Sequence, residues 1–83
     1  MVRTVHWSDD FMRRIRKIKD ASLQDKVKKQ IERIVLEPEC GKPMRYGRKG
    51  TREVHIAPFR LAYAYFVGED RIVLLDLYHK DEQ

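Results

Sequence analysis

Residues 60–80 read RLAYAYFVGEDRIVLLDLYHK. Two runs rich in aromatic and branched residues, 60–67 and 71–78, flank Gly68-Glu69-Asp70, a turn signal too short to hold an element of its own. The pair predicts an antiparallel hairpin. Its second strand is the most apolar stretch of the chain, as suits a strand in the middle of a sheet, yet it closes on Tyr78-His79-Lys80, three side chains able to handle protons and phosphate. Either the strand leaves the core there and turns polar, or its end carries a site.

Upstream, REVHIA at 52–57 sets Val54 and Ile56 at alternating positions and predicts a further strand, close enough to the hairpin to make an antiparallel meander. Before it, GKPMRYGRKGTR at 41–52 holds three glycines, one proline, five Lys or Arg and no acid, which reads as a basic loop. Earlier still the period changes from two to 3.6. Phe11, Ile15 and Ile18 form one apolar stripe behind Ser8, a residue suited to cap a helix, and this helix is predicted to run to about Lys19. Ser22 and Asp25 form a capping-box pattern, after which Leu23, Val27, Ile31, Ile34 and Val35 repeat at helical spacing until Glu37-Pro38. VRTVHW at 2–7 predicts a short opening strand. The whole reads β-α-α-β-β-β: an α+β fold in which a helical hairpin packs on one face of a small, mainly antiparallel sheet and the other face stays partly open. Phe11, Ile15, Ile31, Ile34, Leu61 and Leu75 are the predicted core.

A chain of 83 residues allows a single domain, 1–83, with a modest core, so any site lies on a surface or in a shallow groove. The formal net charge of +5 favours an acidic partner such as nucleic acid, an anionic membrane or an acidic protein. No apolar stretch approaches the roughly 20 residues that span a bilayer, and the N-terminus lacks a signal-peptide core, so a soluble intracellular protein without a membrane role is expected. One cysteine, Cys40, makes no internal disulfide and has no partners at metal-ligand spacing, so no metal site is predicted.

Strand parity puts Arg60 on the face of Ala62 and Ala64, whose small side chains make that face the candidate floor of a groove. The bland reading of Arg60 is an ion pair with an acid such as Glu53; that of His55 and His79, a neutral imidazole held by hydrogen bonds. Together they suit phosphodiester chemistry, which needs cations about the phosphate and a group that moves protons near neutral pH. Lys80 and the loop cations Arg45, Arg48, Lys49 and Arg52 add positive charge, and Tyr46 and Tyr78 are able to stack on bases, or else belong to the partial core.

These residues, taken in order, resemble the RelE/ParE superfamily of toxins from toxin–antitoxin systems over almost the whole chain. VHWSDDF is similar to the family's first strand and helix start. GKPMRYG, then REVHIAPFRLAYAYFV and RIVLLDLYHK, resemble the RelE and YoeB branches, and HIAP is similar to the YafQ branch. The resemblance implies a cytoplasmic endoribonuclease, an mRNA interferase that cuts messenger RNA on the ribosome without metal or other cofactor, by directing a ribose 2′-hydroxyl at the adjacent phosphate. It also implies an acidic antitoxin as partner. Carried over by position, Arg60 matches the phosphate-stabilising arginine, His79 the C-terminal histidine of proton transfer, and His55 the second-strand histidine of the YafQ-like branch. Lys80 matches the arginine or tyrosine that follows. Met44 stands where the YoeB-like branch carries a glutamate, which leaves the two histidines as candidates for acid and base. Two alternatives stay open: a ParE-like inhibitor of DNA gyrase, and a catalytically inactive domain that only binds RNA or its partner.

Overall fold

The computed structural model describes residues 3–44 and 50–82. In chain order the elements are β1 (Thr4–Trp7), α1 (Asp9–Lys17), α2 (Ala21–Leu36), β2 (Lys42–Pro43), β3 (Thr51–Ile56), β4 (Phe59–Phe66) and β5 (Arg71–His79), with single 3-10 turns at Val67–Glu69 and Lys80–Glu82. The five strands form one sheet in the order β1-β5-β4-β3-β2. β1 pairs parallel with β5, and the other three pairings are antiparallel. The predicted order of elements stands, with the apolar β5 inside the sheet between β1 and β4. The two-residue edge strand β2 was not legible in the glycine- and proline-rich stretch around it.

Ser8 caps α1 as expected: its Oγ accepts from the Phe11 amide at 3.1 Å and donates to the Leu75 carbonyl at 2.7 Å, so one hydroxyl both starts the helix and fixes it to β5. α1 stops at Lys17, two residues short of the expected end. α2 is capped by Asp20, not by Ser22: the Asp20 carboxylate accepts from the amides of Ser22 at 2.8 Å and Leu23 at 3.4 Å. A carboxylate two residues earlier in the linker opposes the helix dipole with a full charge, and Ser22 is absorbed into the first turn.

Phe11 of α1 and Val27 and Ile34 of α2 join one buried cluster with Val54, Ile56, Leu61, Tyr63, Ile72, Leu74 and Leu77, residues that share a single face of the sheet. Ile15, Ile18 and Ile31 pack against it from partly exposed positions. Leu75 is the exception to the predicted core. Ala62 pairs with Asp76 and Tyr63 with Leu74, so Leu75 is an extra residue in β5, a bulge without a partner on β4. The bulge reverses the alternation beyond it. Leu74 and Leu77 both face the helices, and Leu75 is left out of the buried cluster.

Tyr63 is fully buried and ties the sheet to the segment that follows α2. Its hydroxyl accepts from the Gly41 amide at 2.9 Å and donates to the Pro38 carbonyl at 2.8 Å. Burial pushes this phenol up to about 12. Glycine is required at 41 because a Cβ there would sit 2.5 Å from the Tyr63 hydroxyl. At the opposite end, Arg3 donates from Nε to Asp70 at 2.7 Å and from a terminal nitrogen to the Val35 carbonyl, while the Tyr65 hydroxyl donates to Asp70 at 3.0 Å. That cluster joins β1, α2 and the β4–β5 turn.

Candidate functional site

The face of the sheet opposite the helices carries the side chains at 53 and 55 of β3, 60, 62 and 64 of β4, and 76 and 78 of β5. Arg60 lies between His55 and Tyr78 in the cross-strand register, and one step along, Ala62 lies between Glu53 and Asp76. The alanines do not leave an open floor. Both are only 6% exposed, enclosed by longer neighbours on the same face.

Glu53 is the centre of this cluster. Its Oε1 accepts from an Arg60 terminal nitrogen at 3.2 Å, and its Oε2 accepts from the Tyr78 hydroxyl at 2.6 Å. Side-chain exposure is 14% for Glu53 and 25% for Arg60, so the pair is screened less than a surface ion pair and holds its geometry better. The guanidinium is not bidentate on the carboxylate, and among the described residues its buried Nε has no hydrogen-bond partner. The ion pair with Glu53 that sequence reading raised for Arg60 is therefore present. The hydroxyl of Tyr78 is anchored on the same carboxylate, a link that sequence reading missed because it depends on the bulge.

His55 is exposed on the same face, opposite Arg60. His79 is not on that face. It pairs with Phe59 on the side of Leu61 and Leu77, its ring meets Phe59 edge-on at 5.6 Å between centroids, and its Nδ1 accepts from the Asp81 amide at 3.2 Å. The expected meeting of His79 and Arg60 over one phosphate therefore does not follow from the register, because the residues sit on opposite faces. Uninterrupted alternation from Leu74 would have put His79 on the face that carries Arg60; the extra residue in β5 turns it to the other face and brings Tyr78 opposite Arg60 instead.

Lys80 opens the terminal 3-10 turn and is exposed. Arg52, expected among the RNA-binding cations, lies on the helix side, where one terminal nitrogen donates to the carbonyls of Glu39 at 3.0 Å and Gly41 at 2.8 Å. It braces the entrance of the basic loop. Arg45, Tyr46, Arg48 and Lys49 lie outside the described residues. Among the described residues no group of His, Cys, Asp or Glu is arranged to hold a metal ion, and no helix is long and apolar enough to cross a membrane.

One feature with no counterpart in the sequence reading is an apolar cleft of about 380 Å³ on the helix side, lined by Trp7, Ile15, Ile18, Val27 and Ile31. The isoleucines were assigned to the core by their spacing, and they do pack on it. Their outer edges, with the 40% exposed Trp7, also form a groove.

Among curated proteins no sequence matches this chain. Several solved structures do. The intact RelBE toxin–antitoxin complex of E. coli contains a chain 11% identical, with a TM-score of 0.80 over 94% of this chain and 96% of that one. A YoeB/ParE toxin from Agrobacterium tumefaciens is 17% identical, with a TM-score of 0.80 over 92% and 96%. The RelBE2 toxin–antitoxin complex of Mycobacterium tuberculosis has a chain 25% identical, with a TM-score of 0.78 over 96% and 100%. At such identities the likeness establishes the fold, two helices on a mixed five-stranded sheet, common to RelE, YoeB and ParE toxins. A family model described as the ParE toxin of the type II toxin–antitoxin system parDE matches residues 5–83. Nearly every residue that builds the sheet, both helices and the Glu53 cluster falls within that match, and the chain belongs to the ParE toxin family, in the RelE/ParE superfamily of toxin–antitoxin systems.

Proposed function

We propose that this toxin is an endoribonuclease that cleaves messenger RNA on the ribosome and so inhibits translation. The observation that carries the reading is the row His55–Arg60–Tyr78 on the helix-free face, next to Glu53. Phosphodiester cleavage by a neighbouring 2′-hydroxyl forms the O2′–P bond, breaks P–O5′, moves one proton from the 2′-hydroxyl and delivers one to the departing O5′. In this reading Arg60 stabilises the charge that builds on the phosphate oxygens, and the exposed His55 moves a proton. Lys80 and the cations of 45–49 draw the RNA backbone, and Tyr78 and Tyr46 are assigned to contacts with the bases. His79 braces the strand end against Phe59. The sequence gap left by Met44 is thus filled from β3.

A second reading has its own support. The Glu53 carboxylate beside Arg60 offsets the positive charge that a nuclease site requires, which favours a toxin that binds its target without cutting, as a ParE-like gyrase inhibitor does. Purified toxin incubated in parallel with ribosome-bound message and with DNA gyrase on relaxed plasmid separates the two. Cleaved message and unaffected supercoiling support the nuclease; intact message and blocked supercoiling overturn it.

The partner proposed for the toxin is an acidic antitoxin that folds on binding. The solved structures include toxin–antitoxin complexes of the same fold, this chain carries a net charge of +5, and the Trp7–Ile15–Ile31 cleft suits the apolar face of an amphipathic segment.

A further inference from the structure

The proposed reaction leaves Glu53 without a task, although it is the least exposed charged side chain of the cluster and the one to which both neighbours are bonded. A free arginine on a strand has four rotatable bonds and no fixed direction. Here one terminal nitrogen is held by Glu53 Oε1 at 3.2 Å, while Oε2 receives the Tyr78 hydroxyl at 2.6 Å. One carboxylate thus joins β3, β4 and β5 side by side and sets both partners on the same face. The carboxylate engages the guanidinium through a single nitrogen, and the bidentate contact that would take up its charge-bearing fork is not made. Among the described residues the other terminal nitrogen, which carries two donors, has no hydrogen-bond partner.

We propose that Glu53 is a positioning residue: by holding Arg60 and Tyr78 together it directs the free edge of the Arg60 guanidinium toward a phosphate of an RNA strand on the helix-free face. This rests on the reading of that face as an RNA site. Glu53 touches no reacting atom and acts through Arg60. The orientation is built before the ligand arrives, which removes the cost of ordering the arginine at the moment of binding.

The test is a double-mutant cycle on affinity for a short RNA whose 2′-hydroxyls are methylated, so that it binds without being cut. Arg60→Ala should weaken binding about 10-fold, the loss of one charge-assisted contact. Glu53→Ala should weaken it nearly as much, and the double variant should be no worse than Arg60→Ala alone, because Glu53 works only through the arginine. Glu53→Gln, which keeps an acceptor of the same reach, should recover part of the loss. Melting temperatures of all variants separate this pattern from unfolding, since a merely structural Glu53 would weaken binding additively with Arg60. Tighter binding by Glu53→Gln than by wild type would make the carboxylate a mask on Arg60 and overturn the proposal. Additive losses, or a wild type that does not bind the methylated RNA, would overturn it equally. Wild type that binds this RNA but leaves an unmethylated message intact would remove the nuclease reading and leave the positioning role standing.

Discussion

Tyr63→Phe removes one oxygen from the fully buried centre of the molecule and leaves the ring in place. Two strong hydrogen bonds are lost, from the Gly41 amide at 2.9 Å and to the Pro38 carbonyl at 2.8 Å, together with a weak contact to Cys40 Sγ at 3.9 Å. A buried polar group left unpaired costs about 1–3 kcal/mol, and some relaxation of the 38–41 segment is available because it has no regular structure beyond its turn. A net loss of about 2 kcal/mol is therefore predicted, a fall in Tm of roughly 8–16 °C for a domain of this size. The ionisation of the phenol adds a pH dependence that the phenylalanine variant lacks. Burial raises Tyr63 from 10.0 to about 12, so the folded state holds the proton more tightly than the unfolded chain does. A pKa raised in the folded state contributes stability that is fully present below pH 10 and is lost as the pH climbs from 10 to about 12. At about 1.4 kcal/mol per unit, ionising the buried phenol costs the folded state on the order of 3 kcal/mol. The assay is urea denaturation of wild type and Tyr63→Phe at pH 7, 10 and 12. The gap between them should be full at pH 7 and should narrow across the last interval. A gap below about 0.5 kcal/mol at pH 7, or one that stays constant to pH 12, would refute the reasoning.

The remaining predictions are briefer. Asp70 is held below the usual carboxylate range chiefly by the Arg3 hydrogen bond, with a smaller contribution from Tyr65; its stabilisation is present above the ordinary value of 3.8 and is lost as the pH falls through the lowered folded value. The Asp70→Asn variant should melt below wild type at pH 7, and the two should converge in strong acid when thermal melts are run across that range. Leu74→Ala should cost about 2–5 kcal/mol as a core truncation, whereas Leu75→Ala should cost clearly less, because the bulge excludes it from the core; matched denaturation curves check the order. His79→Ala should reduce message cleavage less than Arg60→Ala does, with a modest fall in melting temperature from the lost Phe59 and Asp81 contacts.

Much of this fold is written locally. The helical stripe begun by Phe11 and Ile15, the stop before Pro38 and the Gly68-Glu69-Asp70 turn each follow from a few neighbouring residues, and each is where the sequence puts it, although α1 ends before Ile18. What was not legible depends on partners far along the chain. β2 is two residues that become a strand only because Glu53 and Arg52 lie opposite them. The bulge in β5 exists because of how β4 and β5 register, and nothing in IVLLDLYHK marks which residue is extra. The same holds for the site. Arg60 and Glu53 share a face by simple alternation within β3 and β4, so their pairing was foreseeable. Tyr78 and His79 lie beyond the bulge, and their faces were exchanged by one residue that local pattern does not reveal.

The chemical ends of a cut message test the central claim most directly. Wild-type toxin would be incubated with a ribosome-bound message in the presence of a strong chelator, and the fragments analysed by mass spectrometry, with Arg60→Ala as control. Attack by the 2′-hydroxyl predicts fragments ending in 2′,3′-cyclic phosphate with matching 5′-hydroxyl partners, reduced about 100-fold or more in folded Arg60→Ala. An intact message, or equal cleavage by folded Arg60→Ala, would contradict the account.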